Sequence, residues 1–118
     1  MAWIQDYQYS FSVAVLYEGF LKINSLTVNG VNMIVGGVDQ GVTPLVHPGA
    51  IVSISMVVKN EGQFADDFKI EVYKGGALYA TSPTIPALAI NSTASYSPDT
   101  FVMPSTNVPL EVRTFHFE

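Results

Sequence analysis

The chain has 118 residues, enough for one domain with a single buried core, and only 13% of them are charged, about half the usual fraction. A net charge of −5 has the wrong sign for binding nucleic-acid phosphates, and the absence of cysteine excludes disulfides and thiolate metal sites. The apolar stretch from Phe11 to Leu21 is too short for a membrane span. The low charge favours a surface that is covered by neighbouring subunits; the alternative is a protein that works in an acidic or extracellular setting.

Short alternating runs between Gly and Pro residues predict strands throughout, and no window shows helical periodicity. In chain order, the predicted strands are Tyr9–Tyr17, Phe20–Val28, Ile51–Lys59, Asp67–Lys74, Ala77–Thr81, Ser92–Val102 with an interruption near Pro98, and Val108–Phe117. Asn29-Gly30 and Gly75-Gly76 are typical of tight hairpin turns. Gly36–Pro44 has no basic residue and no following helix, so it is predicted to be a long mobile loop rather than a phosphate site. We therefore expect an all-β, immunoglobulin-like antiparallel sandwich of about seven strands, with an extra N-terminal strand.

Two of these strands show which face is buried. From Ile51 to Val58 every even position is apolar, whereas the odd positions include Ser53 and Ser55. The run from Phe68 to Tyr73 alternates in the same way. Because successive side chains of a strand point to opposite faces, the even positions of both runs should form the core.

Asn60-Glu61-Gly62 separates these two strands, and the adjacent acids Asp66 and Asp67 follow it. Asn and Gly favour turns, and an Asn side chain can bond nearby backbone. The favoured interpretation is a structural turn, with both aspartates solvated at the start of the next strand. The alternative is a calcium site built from Glu61, Asp66, Asp67 and loop carbonyls, because calcium takes hard oxygen ligands.

Several of these segments resemble a known family. Ile54–Gly62, and Phe68–Tyr73 with the Gly-Gly turn after it, are similar to the second and third strands of CARDB-type domains, the bacterial and archaeal immunoglobulin-like modules related to cell-adhesion proteins. His47-Pro48-Gly49 resembles the turn before that second strand, and Asn91 stands where the family commonly has Gly in a later connection. Asn accepts positive φ better than most residues. The resemblance implies an immunoglobulin-like domain over residues 20–118, and similar modules occur in viral structural proteins.

Catalysis is not expected from this sequence. No serine lies in a nucleophile-elbow pattern, and no further ligands at a suitable spacing accompany His47 and His116 to form a zinc site. His116 alternates with Phe115 and Phe117, which predicts a surface-facing side chain. We expect no cofactor. Carbohydrate binding stays open, because Trp and Tyr residues are available as stacking platforms, although aromatic residues also fill strand positions simply because they pack well there.

Residues 1–19 form a separate N-terminal arm in this interpretation. From Tyr7 to Tyr17 every odd position is apolar or aromatic, which predicts one strongly buried face. The candidate interface residues are Trp3, Tyr7, Tyr9, Phe11, Val13, Val15 and Tyr17. Such a strand would add to an open sheet edge, either of its own domain or of a neighbour.

Together these features predict a non-catalytic, homo-oligomeric structural protein of a virion or cell-surface array, whose partners are other protein subunits. The alternative is an adhesion or carbohydrate-binding module. Asn91-Ser92-Thr93 also matches the N-glycosylation pattern, so Asn91 is a candidate modification site in an exported or virion protein.

Overall fold

The computed structural model describes residues 2–10 and 19–117, and within these residues the regular secondary structure is entirely β. The strands are β1 Leu21–Val28, β2 Val31–Val35, β3 Val38–Asp39, β4 Ile51–Val52, β5 Ile54–Asn60, β6 Asp66–Lys74, β7 Ala77–Thr81, β8 Ile85–Leu88, β9 Thr93–Tyr96, β10 Phe101–Val102 and β11 Leu110–His116. All their pairings are antiparallel. The prediction of an all-β fold is confirmed.

The strands form a sandwich. Its first sheet has the order β3-β2-β1-β5-β9, and its second has the order β11-β6-β7, with β8 paired to the first residues of β6. A short pair, β4 and β10, lies apart from both. The core between the sheets is formed by Leu21, Val28, Val52, Ile54, Met56, Val58, Phe68, Ile70 and Val72. The predicted antiparallel sandwich is confirmed, while its immunoglobulin-like strand order stays a prediction.

The two faces assigned from the alternating pattern are correct. Met56 and Val58 from β5, and Ile70 and Val72 from β6, are at most 1% exposed. Burying a side chain of this size contributes about 1.5–3 kcal/mol. The central strands of the two sheets, β5 and β6, therefore supply most of the side chains that hold the sandwich together.

Three turns depend on residues that accept positive φ. Asn29-Gly30 joins β1 to β2, and Gly75-Gly76 joins β6 to β7, as predicted; each residue has a φ between 49° and 81°. Gly36-Gly37 makes a third such turn. Residues 36–44 are therefore not one long loop, because Val38–Asp39 pairs with β2 as β3.

Two predicted strands are each divided in the structure. Ile51–Lys59 separates at Ser53, whose N–H donates to Asn29 Oδ1 at 2.7 Å while Asn29 Nδ2 donates to the Ile51 carbonyl at 3.0 Å. Ser92–Val102 separates into β9 and β10 around Pro98, where an interruption was predicted. The side chain of Asn29 thus takes the place of a strand partner and lets the chain pass from β4 into β5.

The N-terminal strand prediction is only partly covered by the structure. Tyr9 and Ser10 do not lie in a strand. Phe11–Tyr17 lie outside the described residues, so the strand predicted for them stays a prediction.

Candidate assembly surface

The side chain of Asn60 forms hydrogen bonds with three other segments at the end of the sandwich where β1 begins. This side chain is 0% exposed. Oδ1 accepts from the N–H of Gly62 at 2.9 Å and of Phe20 at 3.4 Å, while Nδ2 donates to the carbonyls of Phe64 and Leu88, both at 2.9 Å. The predicted turn at residues 60–62 is confirmed, and its Asn has a larger role than local turn formation.

Gly62 is needed for a different reason from the one its turn position suggested. Its φ is not positive. A Cβ at Gly62 would instead lie 2.5 Å from the Phe20 nitrogen and 2.8 Å from the Gly19 Cα. Gly19 is equally tight, because its own Cβ would lie 2.7 Å from Asp66 Cβ. The backbone that leads into β1 therefore packs directly against the backbone at Gly62, at this end of the sandwich.

The described part of the N-terminal arm exposes its large apolar side chains. Trp3, Ile4, Tyr7 and Tyr9 are 72–103% exposed. The structure measures 80 × 35 × 26 Å along its principal axes. Its longest dimension therefore far exceeds the length of its longest strand, which has nine residues and covers about 30 Å. Of the predicted interface residues, Trp3, Tyr7 and Tyr9 are thus exposed. The remaining four lie outside the described residues: Phe11, Val13, Val15 and Tyr17.

Strand β11 has an open edge. Within residues 2–10 and 19–117 it pairs only with β6. Phe117 N–H donates to the Asp67 carbonyl at 3.0 Å and the Pro109 carbonyl accepts from Gly75 N–H at 2.9 Å, so the odd-numbered residues bond towards β6. Because these directions alternate along a strand, the backbone groups of even-numbered residues such as Val112 and Thr114 point away from β6.

An apolar groove of about 910 Å³ lies beside this strand, between the two sheets. Ile23, Leu26 and Met33 line it from the first sheet, and Leu110 and Val112 line it from β11. The only side chains in the lining that carry polar groups are Thr43 and Asn107. Small-molecule sites of similar volume hold several convergent polar groups that orient the ligand, so this lining fits apolar side chains better.

Charge is concentrated away from the groove, on the outer face of the second sheet. Lys69 Nζ lies 3.1 Å from Glu71 Oε2, and Arg113 lies 4.2 Å from the centre of the Tyr73 ring while its Nε donates to Glu111 Oε1 at 2.8 Å. The hydrogen bond that the Tyr73 hydroxyl donates to Glu71 Oε1 at 2.7 Å lowers the pKa of Glu71, as Lys69 also does, and the same bond raises the pKa of Tyr73. This face is a network of paired charges facing solvent.

The three carboxylates of the calcium hypothesis have separate partners. Glu61 lies 3.9 Å from Lys22 Nζ. Asp66 Oδ1 accepts from the Asp67 N–H at 2.8 Å, and Asp67 Oδ1 accepts from the Ala87 N–H at 2.7 Å. Both aspartates begin β6 as predicted, but they are half-buried rather than fully solvated. Among the described residues, no three His, Asp or Glu side chains are placed to hold a metal ion.

The three tyrosines of the sandwich, Tyr73, Tyr79 and Tyr96, are partly covered by other residues of the domain. Tyr79 donates its hydroxyl to the Asp99 carbonyl at 2.8 Å, and its ring packs edge-on against Phe101. Tyr73 is covered by Arg113, and Tyr96 is half-buried. None of these three rings is a free platform for a sugar.

His116, predicted to face the surface, is half-buried, whereas its neighbour Phe117 is 74% exposed. The even positions of β11 face inward, which explains the error.

Asn91 is exposed, with a φ of 63°. The expectation that Asn accepts this conformation is confirmed, and the glycosylation of Asn91 stays a prediction.

Comparison with known proteins adds no identification: no family model matches the chain, and no curated protein is found as a relative. The resemblance to CARDB-type domains therefore stays a prediction. The described residues also contain no helix that is long and apolar enough to cross a membrane.

Proposed function

We propose that this protein is a non-catalytic structural subunit that assembles with copies of itself, as part of a virion or a cell-surface array. The N-terminal arm mediates the contact by adding as a strand to a sheet edge. The observation that carries the proposal is the coexistence of exposed apolar side chains on the arm with an edge strand, β11, that pairs only with β6 among the described residues. Exposed edges pair readily with any available strand, and an arm of alternating apolar residues is suited to that role.

The hydroxyl-bearing part of the first sheet supports the same function, although Lys22 and Lys59 lie at one end of that sheet. Its outer face carries hydroxyl side chains on neighbouring strands; Ser55 and Ser97 lie within 3.1 Å of each other, and Thr27 Oγ1 donates to the Ser55 carbonyl at 3.5 Å. Contacts between copies over the part formed by Thr27, Ser55 and Ser97 require no charge to be removed from water, which is the costly part of burying a polar surface.

The test is the mass of the full-length protein in solution, measured by light scattering. The arm variant replaces three apolar positions, as Phe11→Ser, Val13→Ser and Val15→Ser. Its matched control changes polar positions of the same segment, as Ser10→Ala and Ser12→Ala. We expect the parent and the control to form a defined oligomer and the arm variant to be monomeric.

A monomeric parent at every concentration tested would contradict the proposal. So would an arm variant that assembles like the parent, because the subunit contact would then lie elsewhere. Either result would direct attention to glycan binding by the exposed Trp3 and Tyr7.

A further inference from the structure

Resting on the proposed function, we propose that the acceptor of the arm is the groove beside β11, and that its occupant is the segment Tyr7–Tyr17 of a second copy. The inserted segment pairs with the open edge of β11 and places its odd-numbered side chains in the groove. Each copy then both donates an arm and receives one.

The edge of β11 is the longest one left open in the described part of the chain. Even without its last residue, residues 110–115 of β11 outnumber the five residues of the opposite edge of the same sheet, β7. Leu110, Val112 and Thr114 direct backbone groups towards the vacant position. Their span is about 13 Å at 3.3 Å per residue, and Tyr7–Tyr17 in extended form covers about 33 Å. The segment is therefore long enough to pair along the whole exposed edge.

The two sheets are unequal in width, which is why the groove exists. On one side of it, the Thr114 hydroxyl donates to the Leu21 carbonyl at 2.7 Å and holds β11 against β1. Further along, the first sheet continues into β2, where Met33 lines the groove, but the second sheet ends at β11. A strand added beyond β11 would lie over β2 and supply the apolar side chains that this part of the sandwich lacks.

The composition of the arm matches the groove. The groove contributes apolar side chains and no charged one. Phe11, Val13 and Val15 alternate with Ser12 and Ala14, so one face of the segment is apolar while the other carries no charge. A segment with charges at the odd positions would have to bury them unpaired, at high cost.

The arm of a chain is poorly positioned to enter the groove of the same chain. The Phe20 carbonyl accepts from the Glu61 N–H at 2.8 Å, which extends the pairing of β1 with β5 and fixes Phe20 in line with β1. The arm would have to reverse direction between Tyr17 and Phe20.

Insertion into a neighbour has a consequence for symmetry. The donating surface, the arm, differs from the accepting surface, the groove, so a copy that takes its arm from a third copy makes a head-to-tail contact, whereas two copies that exchange arms close a two-fold dimer. Repetition of the head-to-tail contact gives a ring if the rotation closes and a filament if it does not. The mass of the assembly in solution distinguishes the closed dimer from these larger forms.

The test uses two full-length variants, each disabled at one side of the contact. The first is the arm variant Phe11→Ser/Val13→Ser/Val15→Ser, whose groove is intact. The second is Leu110→Glu, whose arm is intact. Its matched control is Phe115→Glu, because Leu110 and Phe115 lie on the same strand and are 38% and 37% exposed, but only Leu110 lines the groove.

We expect each disabled variant to be monomeric alone and an equimolar mixture to form a dimer of one copy of each, which cannot grow further. The Phe115→Glu control should assemble like the parent. Because a charge in the groove must lose its hydration, the dissociation constant should rise at least about tenfold. Urea unfolding verifies that the variants fold; if Leu110→Glu does not, Leu45→Glu, at a groove residue that is 92% exposed, takes its place.

Two results would overturn the proposal while leaving the proposed function standing. One is assembly of the groove variant to the same mass as the parent. The other is a mixture of the two disabled variants that stays monomeric although both are folded and the parent assembles. A parent that is itself monomeric would remove both the proposed function and this inference.

Discussion

Replacing Asn60 should destabilise the sandwich more than any change at a surface asparagine. In Asn60→Ala, three hydrogen bonds of 2.9 Å are lost, to Gly62, Phe64 and Leu88, in addition to the longer one from Phe20. A net contribution of about 1 kcal/mol for each of the three shorter bonds gives a loss of about 3 kcal/mol. Because the site is 0% exposed, the unpaired groups cannot readily be solvated in place.

The measurement is the urea unfolding midpoint. With a slope of about 1.5 kcal/mol per molar urea, a loss of about 3 kcal/mol lowers the midpoint by about 2 M. The exposed Asn32 on β2 provides the control, since Asn32→Ala should change the unfolding free energy by no more than about 0.5 kcal/mol. A midpoint for Asn60→Ala that lies close to that of Asn32→Ala would refute the assignment of Asn60 as a structural anchor.

Asn60→Asp tests the same site through pH. Its carboxylate keeps an acceptor for Gly62 but faces the carbonyl oxygens of Phe64 and Leu88, which raises its folded-state pKa above the unfolded value of about 3.9. A raised pKa means that the destabilisation grows as pH rises through the folded value and is relieved as pH falls. The difference in midpoint between Asn60→Asp and the parent should therefore be smaller at about pH 4 than at about pH 7.

The other predictions concern single contacts and are checked by urea unfolding. Gly62→Ala places a Cβ 2.5 Å from the Phe20 nitrogen and should cost about 1–3 kcal/mol; an unchanged midpoint would mean that the backbone can move apart there. Ser82→Ala removes the hydroxyl that accepts from Ile70 N–H at 2.8 Å in the core and should cost about 1–3 kcal/mol. Glu71 has a lowered pKa, so its stabilisation is present above the ordinary value of 4.5 and is lost as pH falls below it. Glu71→Gln should accordingly lose less stability than the parent on acidification, and parallel pH profiles would contradict this.

The central strands could be predicted from sequence because their pattern is unambiguous. Every second residue of Ile54–Asn60, and Phe68, Ile70 and Val72 in Asp66–Lys74, is buried, and both faces were assigned correctly. These strands lie between neighbours on both sides, so each must bury one full face. A buried face is what makes period-two alternation visible in a sequence.

The strands that were missed carry weaker signals for physical reasons. Val38–Asp39 is two residues long and exposed, so burial leaves no pattern on it. Ile85–Leu88 contains Pro86, which argues against a strand except at a sheet edge. Val31–Val35 followed a correctly predicted turn, but it has a half-buried residue at consecutive positions and no clean alternation.

The groove could not be predicted from the sequence. Its lining comes from β1, β2, β11 and the loops of residues 43–46 and 103–109, which are brought together only by the sandwich. In the sequence, each of these residues looks like an ordinary core or loop residue. The arm, by contrast, was visible in sequence because its alternation extends outside the strands that the sandwich requires.

The most direct test of the account is backbone hydrogen exchange of the full-length protein at β11, compared between its assembled and dissociated states. The N–H groups of Val112 and Thr114 point to the vacant edge, whereas that of Arg113 points to β6. We predict that exchange at Val112 and Thr114 is fast in the monomer and slow in the assembly, while Arg113 is protected in both. Equally fast exchange at Val112 and Thr114 in the two states would show that no strand is added to this edge.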